Sequence, residues 1–287
     1  MLRYRLPSGV AMIAGLLLLM WADNALEARG RPAGLVLLGL LVVFGLLASR
    51  ELAALLRAKH GRASFLVTAA SALVGLLLVY FLPWISDPTT AAAATASAAG
   101  GVLLGAVFVH SVPRRETAGG AAAGAQAAFA MVYLGLLPGI YLLIRQEGHS
   151  AWVIGAIVLV VKACDIGAYF TGRFLGKHKL IPWLSPAKTW EGLAGGMALS
   201  ALCAVIFVQV AGGRGAGAPG IALWYAAVAG LALGFLGQVG DLVASLLKRD
   251  AGVKDWAATI PGFGGVMDVA DSLLIVAPVA YWLLACA

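Results

Sequence analysis

Charged residues are scarce in this chain of 287 residues: only 11% are Asp, Glu, Lys or Arg, whereas 62% are hydrophobic. Soluble globular domains are about half apolar and about a quarter charged. The shortage of charge therefore excludes a soluble globular protein. The net charge of +7 does not indicate nucleic-acid binding, because the basic residues are dispersed between apolar runs. These features predict an integral membrane protein.

Cysteine is equally scarce. Cys164, Cys203 and Cys286 lie far apart, inside or at the end of apolar runs, and no CxxC or His-rich spacing accompanies them. A zinc site or a disulfide framework needs closer or paired spacing, so we interpret the three as small core residues.

Long apolar runs, by contrast, recur along the whole chain. They are roughly 16 to 22 residues long, enough for a helix to cross about 30 Å of hydrocarbon. Helices satisfy their backbone polar groups internally, as a membrane requires. The predicted fold is all-α, a polytopic integral membrane protein of about nine transmembrane helices. The predicted spans are 8–22, 32–49, 65–85, 91–109, 121–144, 150–170, 192–211, 220–239 and 265–285.

The first run also fits a cleavable signal peptide. Arg3 and Arg5 precede a short apolar segment, and small residues follow near 22–28. No soluble domain follows this run, which favours a first transmembrane span.

Basic residues alternate between the two sides of the predicted membrane. One set of connecting segments holds 15 of them, and the opposite set holds Arg29, Arg31, Arg145 and Arg214. The positive-inside rule then places the N-terminus and the long charged loops in the cytoplasm. The richer set comprises Arg3, Arg5, Arg50, Arg57, Lys59, Arg62, Arg114, Arg115, Arg173, Lys177, Lys179, Lys188, Lys248, Arg249 and Lys254.

Acidic residues concentrate in the C-terminal half, where seven of 13 fall between 165 and 271. A carboxylate at membrane depth is costly unless it is paired, hydrated or bound to a metal. We therefore predict an N-terminal transmembrane scaffold over 1–149 and a catalytic region over 150–287, with cytoplasmic motifs at 172–196 and 241–272. Residues 50–60 either continue the second helix or lie along the membrane interface.

Two aspartates at the start of the ninth span indicate a metal site. Asp268 and Asp271 are spaced i, i+3, so both side chains face the same way. Two like charges this close repel each other unless a cation lies between them. Magnesium shared with phosphate oxygens would resolve this repulsion. Asp271 could instead be a capping or packing residue bonded to Ser272. Asp165, near the end of the sixth span, could pair with Lys162 or join the metal.

If the eighth helix continues beyond its apolar run, a carboxylate, a hydroxyl and two cations share one face. These are Asp241, Ser245, Lys248 and Arg249. The glycines of the following turn permit positive φ and close approach of backbone N–H groups to an anion. They are Gly262, Gly264 and Gly265. Together these features predict a site for a phosphate-rich ligand.

A second charged cluster, GRFLGKHKLIPWLSPAKTWEGLAGG, occupies 172–196. Cytoplasmic loops are often basic for topological reasons alone, which accounts for residues 177–179. It does not account for the order Ser-Pro-x-Lys-Thr-x-Glu-Gly.

These two motifs resemble the signatures of phosphatidate cytidylyltransferases (CDP-diacylglycerol synthases). In that family Ser-x-x-Lys-Arg is followed by Lys-Asp, Pro-Gly-His-Gly-Gly and Asp-Arg-x-Asp. Phe263 stands where the family usually has His, and Val269 where it usually has Arg. The matching residues are Ser185, Pro186, Lys188, Thr189, Glu191, Gly192, Ser245, Lys248, Arg249, Lys254, Asp255, Pro261, Gly262, Gly264, Gly265, Asp268 and Asp271.

The resemblance implies a membrane enzyme, usually dimeric, that converts CTP and phosphatidate into CDP-diacylglycerol and diphosphate at the cytoplasmic face of the inner (plasma) membrane. It implies Mg²⁺, with a second metal ion in a di-metal centre, held by Asp241 and Asp268. We assign catalysis to Lys188, Lys248, Arg249 and Asp271. The expected substrate-binding residues are Ser185, Thr189, Glu191, Ser245, Lys254, Asp255, Gly262, Gly264 and Gly265.

Two other functions fit the same residues. A CTP-dependent polyprenol kinase carries a related signature but transfers the γ-phosphate to a lipid alcohol. An ion-coupled transporter also places acids in broken membrane helices and turns over no nucleotide.

Overall fold

The computed structural model describes residues 2–60, 63–213, 221–260, 262 and 264–287. Phe263, Pro261, Arg62 and Arg214, which figure in the sequence predictions, lie outside these residues. The helices are α1 (Leu2–Glu27), α2 (Leu35–His60), α3 (Phe65–Phe81), α4 (Pro88–Ser111), α5 (Gly120–Ala130), α6 (Leu137–Gln146), α7 (Ala151–Leu175), α8 (Trp190–Gly213), α9 (Leu223–Asp250) and α10 (Val266–Ala285). A 3₁₀ turn (Leu82–Trp84) follows α3, and a π turn (Met131–Leu136) joins α5 to α6.

Within these described ranges, nine stretches are long and apolar enough to cross a membrane, with α5 and α6 forming one of them. The predicted fold class is confirmed: this is a multi-pass helical membrane protein. Two helices continue well past their apolar runs, α2 through His60 and α9 through Asp250. Residues 50–60 therefore continue the second helix.

A short hairpin between α7 and α8 was not predicted. Its antiparallel strands are β1 (Lys179–Ile181) and β2 (Ser185–Thr189), with Lys179 opposite Thr189 and Ile181 opposite Ser185. Because β2 runs directly into α8, the hairpin carries its two last residues, Lys188 and Thr189, back against the helix bundle. We call the end of the bundle that carries this hairpin the hairpin end.

Glycines let α7, α8, α9 and α10 approach one another closely. A Cβ added to Gly167 of α7 would lie 2.9 Å from the Cα of Gly196 in α8. A Cβ on Gly240 of α9 would lie 2.8 Å from the carbonyl oxygen of Asp271 in α10. Small residues are the usual means of close helix packing in membranes. The second contact brings Asp241 beside the start of α10.

A buried ion cluster lies at the opposite end of the bundle. Arg145, whose side chain is 0% exposed, donates from Nε to Asp23 Oδ2 at 2.7 Å and from Nη2 to Glu27 Oε2 at 2.7 Å. Asp23 also accepts from the backbone N–H groups of Val36 and Leu37 at 2.9 and 3.3 Å. The cluster therefore ties α1, the start of α2 and the end of α6 together.

Candidate functional site

A cavity of about 310 Å³ opens among α7, α8, α9, α10 and the hairpin. Four carboxylates and two lysines face it, so it is far more polar than its surroundings. The lining residues are Lys162, Asp165, Ala168, Tyr169, Leu180, Ala187, Lys188, Thr189, Gly192, Leu193, Gln238, Asp241, Asp268 and Asp271. The cavity thus brings together five side chains that the sequence singled out as site residues: Lys188, Thr189, Asp241, Asp268 and Asp271.

Two lysine–aspartate pairs join different elements at this cavity. Lys188 Nζ of β2 lies 2.5 Å from Asp241 Oδ2 of α9. Lys248 Nζ, near the end of α9, lies 2.8 Å from Asp268 Oδ1 of α10. Each pair holds one ammonium group, which is suited to bind a phosphate, and one carboxylate, which is suited to bind a metal ion. Two of the four carboxylates that face the cavity are therefore paired with lysines across elements.

Asp268 also organises the loop that precedes α10. Its Oδ2 accepts from the backbone N–H of Gly265 at 2.9 Å and from that of Trp256 at 3.1 Å. A carboxylate in the first turn that reaches back to the helix start stabilises the N-terminus. One side chain thus fixes the loop, the helix start and Lys248.

Asp271 lies one turn deeper and is 4% exposed. Its Oδ1 accepts from the backbone N–H of Ser272 at 2.6 Å, as one of the two sequence interpretations expected. It faces the cavity as well. The hydrogen bond to Ser272 is therefore confirmed, and the role of Asp271 at a metal stays a prediction.

Asp165 pairs with Lys162, one of its two predicted alternatives. Lys162 Nζ lies 3.3 Å from Asp165 Oδ2 and donates to Ser272 Oγ at 2.8 Å. Gln238 Nε2 donates to the other oxygen, Asp165 Oδ1, at 2.7 Å. Sequence reasoning did not propose Lys162, Gln238 or Ser272 as site residues. The one feature of the sequence that could have indicated them is a lysine, Lys162, inside an apolar span.

The remaining predicted residues do not line this cavity. Glu191 accepts from the backbone N–H groups of Lys177 and His178 at 3.1 and 3.2 Å, which fixes the start of the hairpin. Arg249 donates to the carbonyl oxygen of Val253 at 3.5 Å. Ser185 and Ser245 are partly buried, and Arg249, Lys254, Asp255 and Gly262 are exposed at the hairpin end.

Comparison with known proteins decides the family. The profile of the cytidylyltransferase family matches residues 3–287. The chain belongs to the cytidylyltransferase family. It is 31% identical to the phosphatidate cytidylyltransferase of Mycobacterium bovis over 273 residues, 88% of this chain and 85% of that protein. It is 41% identical to the phosphatidate cytidylyltransferase of Bacillus subtilis over 157 residues, 54% of this chain and 56% of that one.

The glycine loop of this family member is closed on itself. Gly262 and Gly264 have φ of +85° and +101°, as the sequence predicted for glycines in such a turn. The N–H of Gly264 donates to Ile260 O at 3.1 Å, and that of Gly265 donates to Asp268. These two N–H groups would have to exchange partners before they could bind an anion.

Glu51 of α2 is a site-supporting residue that sequence reasoning missed. It is 4% exposed, and its carboxylate accepts from the N–H groups of Val266 at 2.8 Å and Met267 at 3.0 Å, and from Thr259 Oγ1 at 2.8 Å. It therefore caps the N-terminus of α10 from outside the C-terminal half. Its acidic type within the polar continuation of α2 was the available signal.

The donor chemistry of the cavity fits a hard divalent cation. Asp241, Asp268 and Asp271 contribute carboxylate oxygens to one space, the ligand type that Mg²⁺ prefers. No ready-made cluster of three or more metal-ligating side chains occurs among the described residues. Lys188 and Lys248 hold the carboxylates of Asp241 and Asp268, so a metal would take over positions that ammonium groups occupy here.

Gly240→Ala tests whether the close approach of α9 and α10 matters to the site. The added methyl would lie 2.8 Å from Asp271 O and 3.0 Å from Ser272 Cα, both backbone atoms. The helices must separate by several tenths of an ångström, and we expect turnover to fall about 10- to 100-fold because a small misplacement of reacting groups costs that much. Steady-state kinetics on purified protein would measure it.

Gly39→Ala is the matched control, since a Cβ there has no atom within 4 Å. Turnover by the Gly240→Ala variant equal to that of the Gly39→Ala variant would show that the site tolerates the separation.

Proposed function

We propose that the chain is a phosphatidate cytidylyltransferase, which converts CTP and phosphatidate into CDP-diacylglycerol and diphosphate. The observation that carries the proposal is the pair of lysine–aspartate bridges around one polar cavity in a membrane-spanning bundle. Relatives in Mycobacterium bovis and Bacillus subtilis carry this name. A cytidylyltransferase whose second substrate is a lipid needs such a cavity within reach of both water and membrane.

In this reaction a phosphate oxygen of phosphatidate attacks the α-phosphorus of CTP, and diphosphate leaves. Transfers at phosphorus depend on positioning and charge neutralisation rather than on a covalent protein group. We assign Lys188 and Lys248 to the phosphates, because Lys188 lines the cavity and Lys248 pairs with Asp268, which lines it. Each would turn from its carboxylate to a phosphate oxygen when substrate enters.

The other predicted residues have supporting roles in this proposal. Exposed Arg249 and Lys254 draw the anionic nucleotide towards the hairpin end. We assign Thr189, which lines the cavity, to a hydrogen bond with the nucleotide or the lipid headgroup. We assign Ser185, Glu191, Ser245, Asp255 and the glycines, which do not line the cavity, to substrate contacts that would form only after a movement of the hairpin and of the loop before α10.

We further propose that the enzyme depends on Mg²⁺. Asp241 and Asp268 would hold it, and Asp271 would be an additional ligand or would accept a hydrogen bond from a water on the metal. A second metal ion would complete the di-metal centre that the family resemblance implies. When bound, the metal neutralises phosphate charge and orients the triphosphate.

The proposed location is the inner (plasma) membrane, with the N-terminus and the cavity on the cytoplasmic side and the protein as a homodimer. The richer set of basic segments, which includes the hairpin, supports this orientation. Residues 1–149 would act as scaffold and 150–287 as catalytic region, with Glu51 as the scaffold's contribution to the loop before α10.

Labelled CTP separates this function from its alternatives. Purified protein receives CTP labelled at the α or the γ position, with phosphatidate or a polyprenol as lipid. We expect label to enter phosphatidate-derived lipid from the α position only. Label from the γ position in polyprenol would indicate a kinase, and no lipid label from either position would indicate a transporter.

A further inference from the structure

Lys162 is a cation deep inside the bundle, and neither the sequence motifs nor the roles above assign it a function. It lies near the middle of α7, a helix of 25 residues. A charged side chain at this depth is costly, so it usually serves a substrate or ion pathway. Its side chain is 35% exposed, and it faces the cavity.

Lys162 lines the cavity and has two polar contacts there. Nζ donates to Ser272 Oγ at 2.8 Å and lies 3.3 Å from Asp165 Oδ2, a longer and weaker contact. Gln238 already bonds the other oxygen of Asp165 at 2.7 Å. Both side chains of this pair are about a third exposed, at 35% and 37%, and partly exposed ion pairs contribute little to stability. Neutralising Asp165 is therefore a poor reason by itself to keep a lysine here.

The cations around the cavity lie at different depths. Lys188 belongs to β2, outside the helices, and Lys248 lies two residues before the end of α9. Ser272, the partner of Lys162, is six residues into α10, roughly 9 Å from its start at 1.5 Å per residue. Of these three lysines, Lys162 is the one within the apolar part of the bundle.

The two proposed substrates differ in the side from which they come. CTP is water-soluble and enters from the hairpin end, where Lys188 lies. Phosphatidate stays in the membrane, and its phosphate must approach four carboxylates that line the cavity. Like charges repel strongly in a partly dehydrated site, so the lipid phosphate needs a cation at its own depth. Phosphatidate cytidylyltransferases usually have Arg at the position of Val269, and Val269 supplies no cation.

We propose that Lys162 binds the phosphate group of the lipid substrate, with Ser272 as the hydroxyl that holds its ammonium group in place. This assignment rests on the proposed function. It makes Lys162 a residue that binds the lipid substrate and not the nucleotide. In the absence of lipid, Asp165 and Ser272 are the resting partners of the ammonium group.

The test compares the KM for each substrate in detergent micelles. Lys162→Gln should raise the KM for phosphatidate about 10- to 100-fold, the usual effect of losing a hydrogen bond to a charged group. The KM for CTP should change less than about twofold. Lys162→Arg, which keeps the charge, should recover most of the affinity for phosphatidate. Lys162→Met, which removes the charge without burying an amide, gives the same test if the Gln variant folds poorly.

Lys59→Gln is the matched control, because Lys59 forms a surface pair with Asp250 and does not line the cavity. An equal rise in both KM values, a rise for CTP alone, or no change in either would overturn the assignment while leaving the proposed function intact. Wild-type protein that forms no CDP-diacylglycerol would refute the proposed function and this assignment with it.

Discussion

Asp268→Asn is expected to lower kcat by about 10²- to 10³-fold, the scale seen when one electrostatic group of an active site is removed. Asn keeps an oxygen that can accept from Gly265 and Trp256, so the loop before α10 retains its contacts. It cannot balance the charge of Lys248 or hold a divalent ion as a carboxylate does. Turnover measured across a Mg²⁺ titration would show both the loss and any weakened response to the metal.

Asp250→Asn provides the control for the charge change. Asp250 is 61% exposed and pairs with Lys59 at the surface of the hairpin end. We expect its kinetics to match wild type. If Asp268→Asn kept wild-type turnover and wild-type Mg²⁺ dependence while folded, the metal assignment would be wrong.

Arg145→Met is expected to destabilise the protein by about 3–5 kcal/mol, the cost of breaking a buried pair by removing one partner. Asp23 is 3% exposed and would lose its guanidinium partner. The cluster lies at the end of the bundle away from the cavity, so protein that remains folded should retain its KM values. Equilibrium unfolding in detergent, read by intrinsic fluorescence, would measure the change.

Two further variants make this result specific. Arg29→Met changes an exposed arginine at the same end and should alter stability by less than about 0.5 kcal/mol. Adding Asp23→Asn to Arg145→Met should recover part of the loss, because the unpaired charge disappears. A single Arg145→Met variant as stable as the Arg29→Met variant would contradict the energetic role of the cluster.

The membrane-spanning helices were predictable because lipid burial depends on the length of an apolar run. Because the prediction followed the apolar runs alone, it ended a helix too early where the helix continues beyond its apolar run. Beyond residue 239 the apolar run ends but the helix continues to Asp250, with Asp241, Ser245 and Lys248 on the face that their spacing indicated. Asp241 and Asp268 could be expected at one end of the bundle, since they border the same connecting loop.

The partners of these side chains could not be predicted. Lys188 reaches Asp241 only because a three-residue strand pairs with a five-residue one, and so short a hairpin leaves little periodic pattern. Glu51 caps α10 across 215 positions of sequence. A single sequence contains no signal that links such distant positions.

The cap from Glu51 also ties the start of α10 to the first half of the chain. A fragment beginning at residue 150 would contain every side chain that lines the polar cavity. It would nevertheless lack the carboxylate that accepts from the N–H groups of Val266 and Met267. The motifs lie in the C-terminal half, but the start of α10 is held by a residue of the N-terminal half.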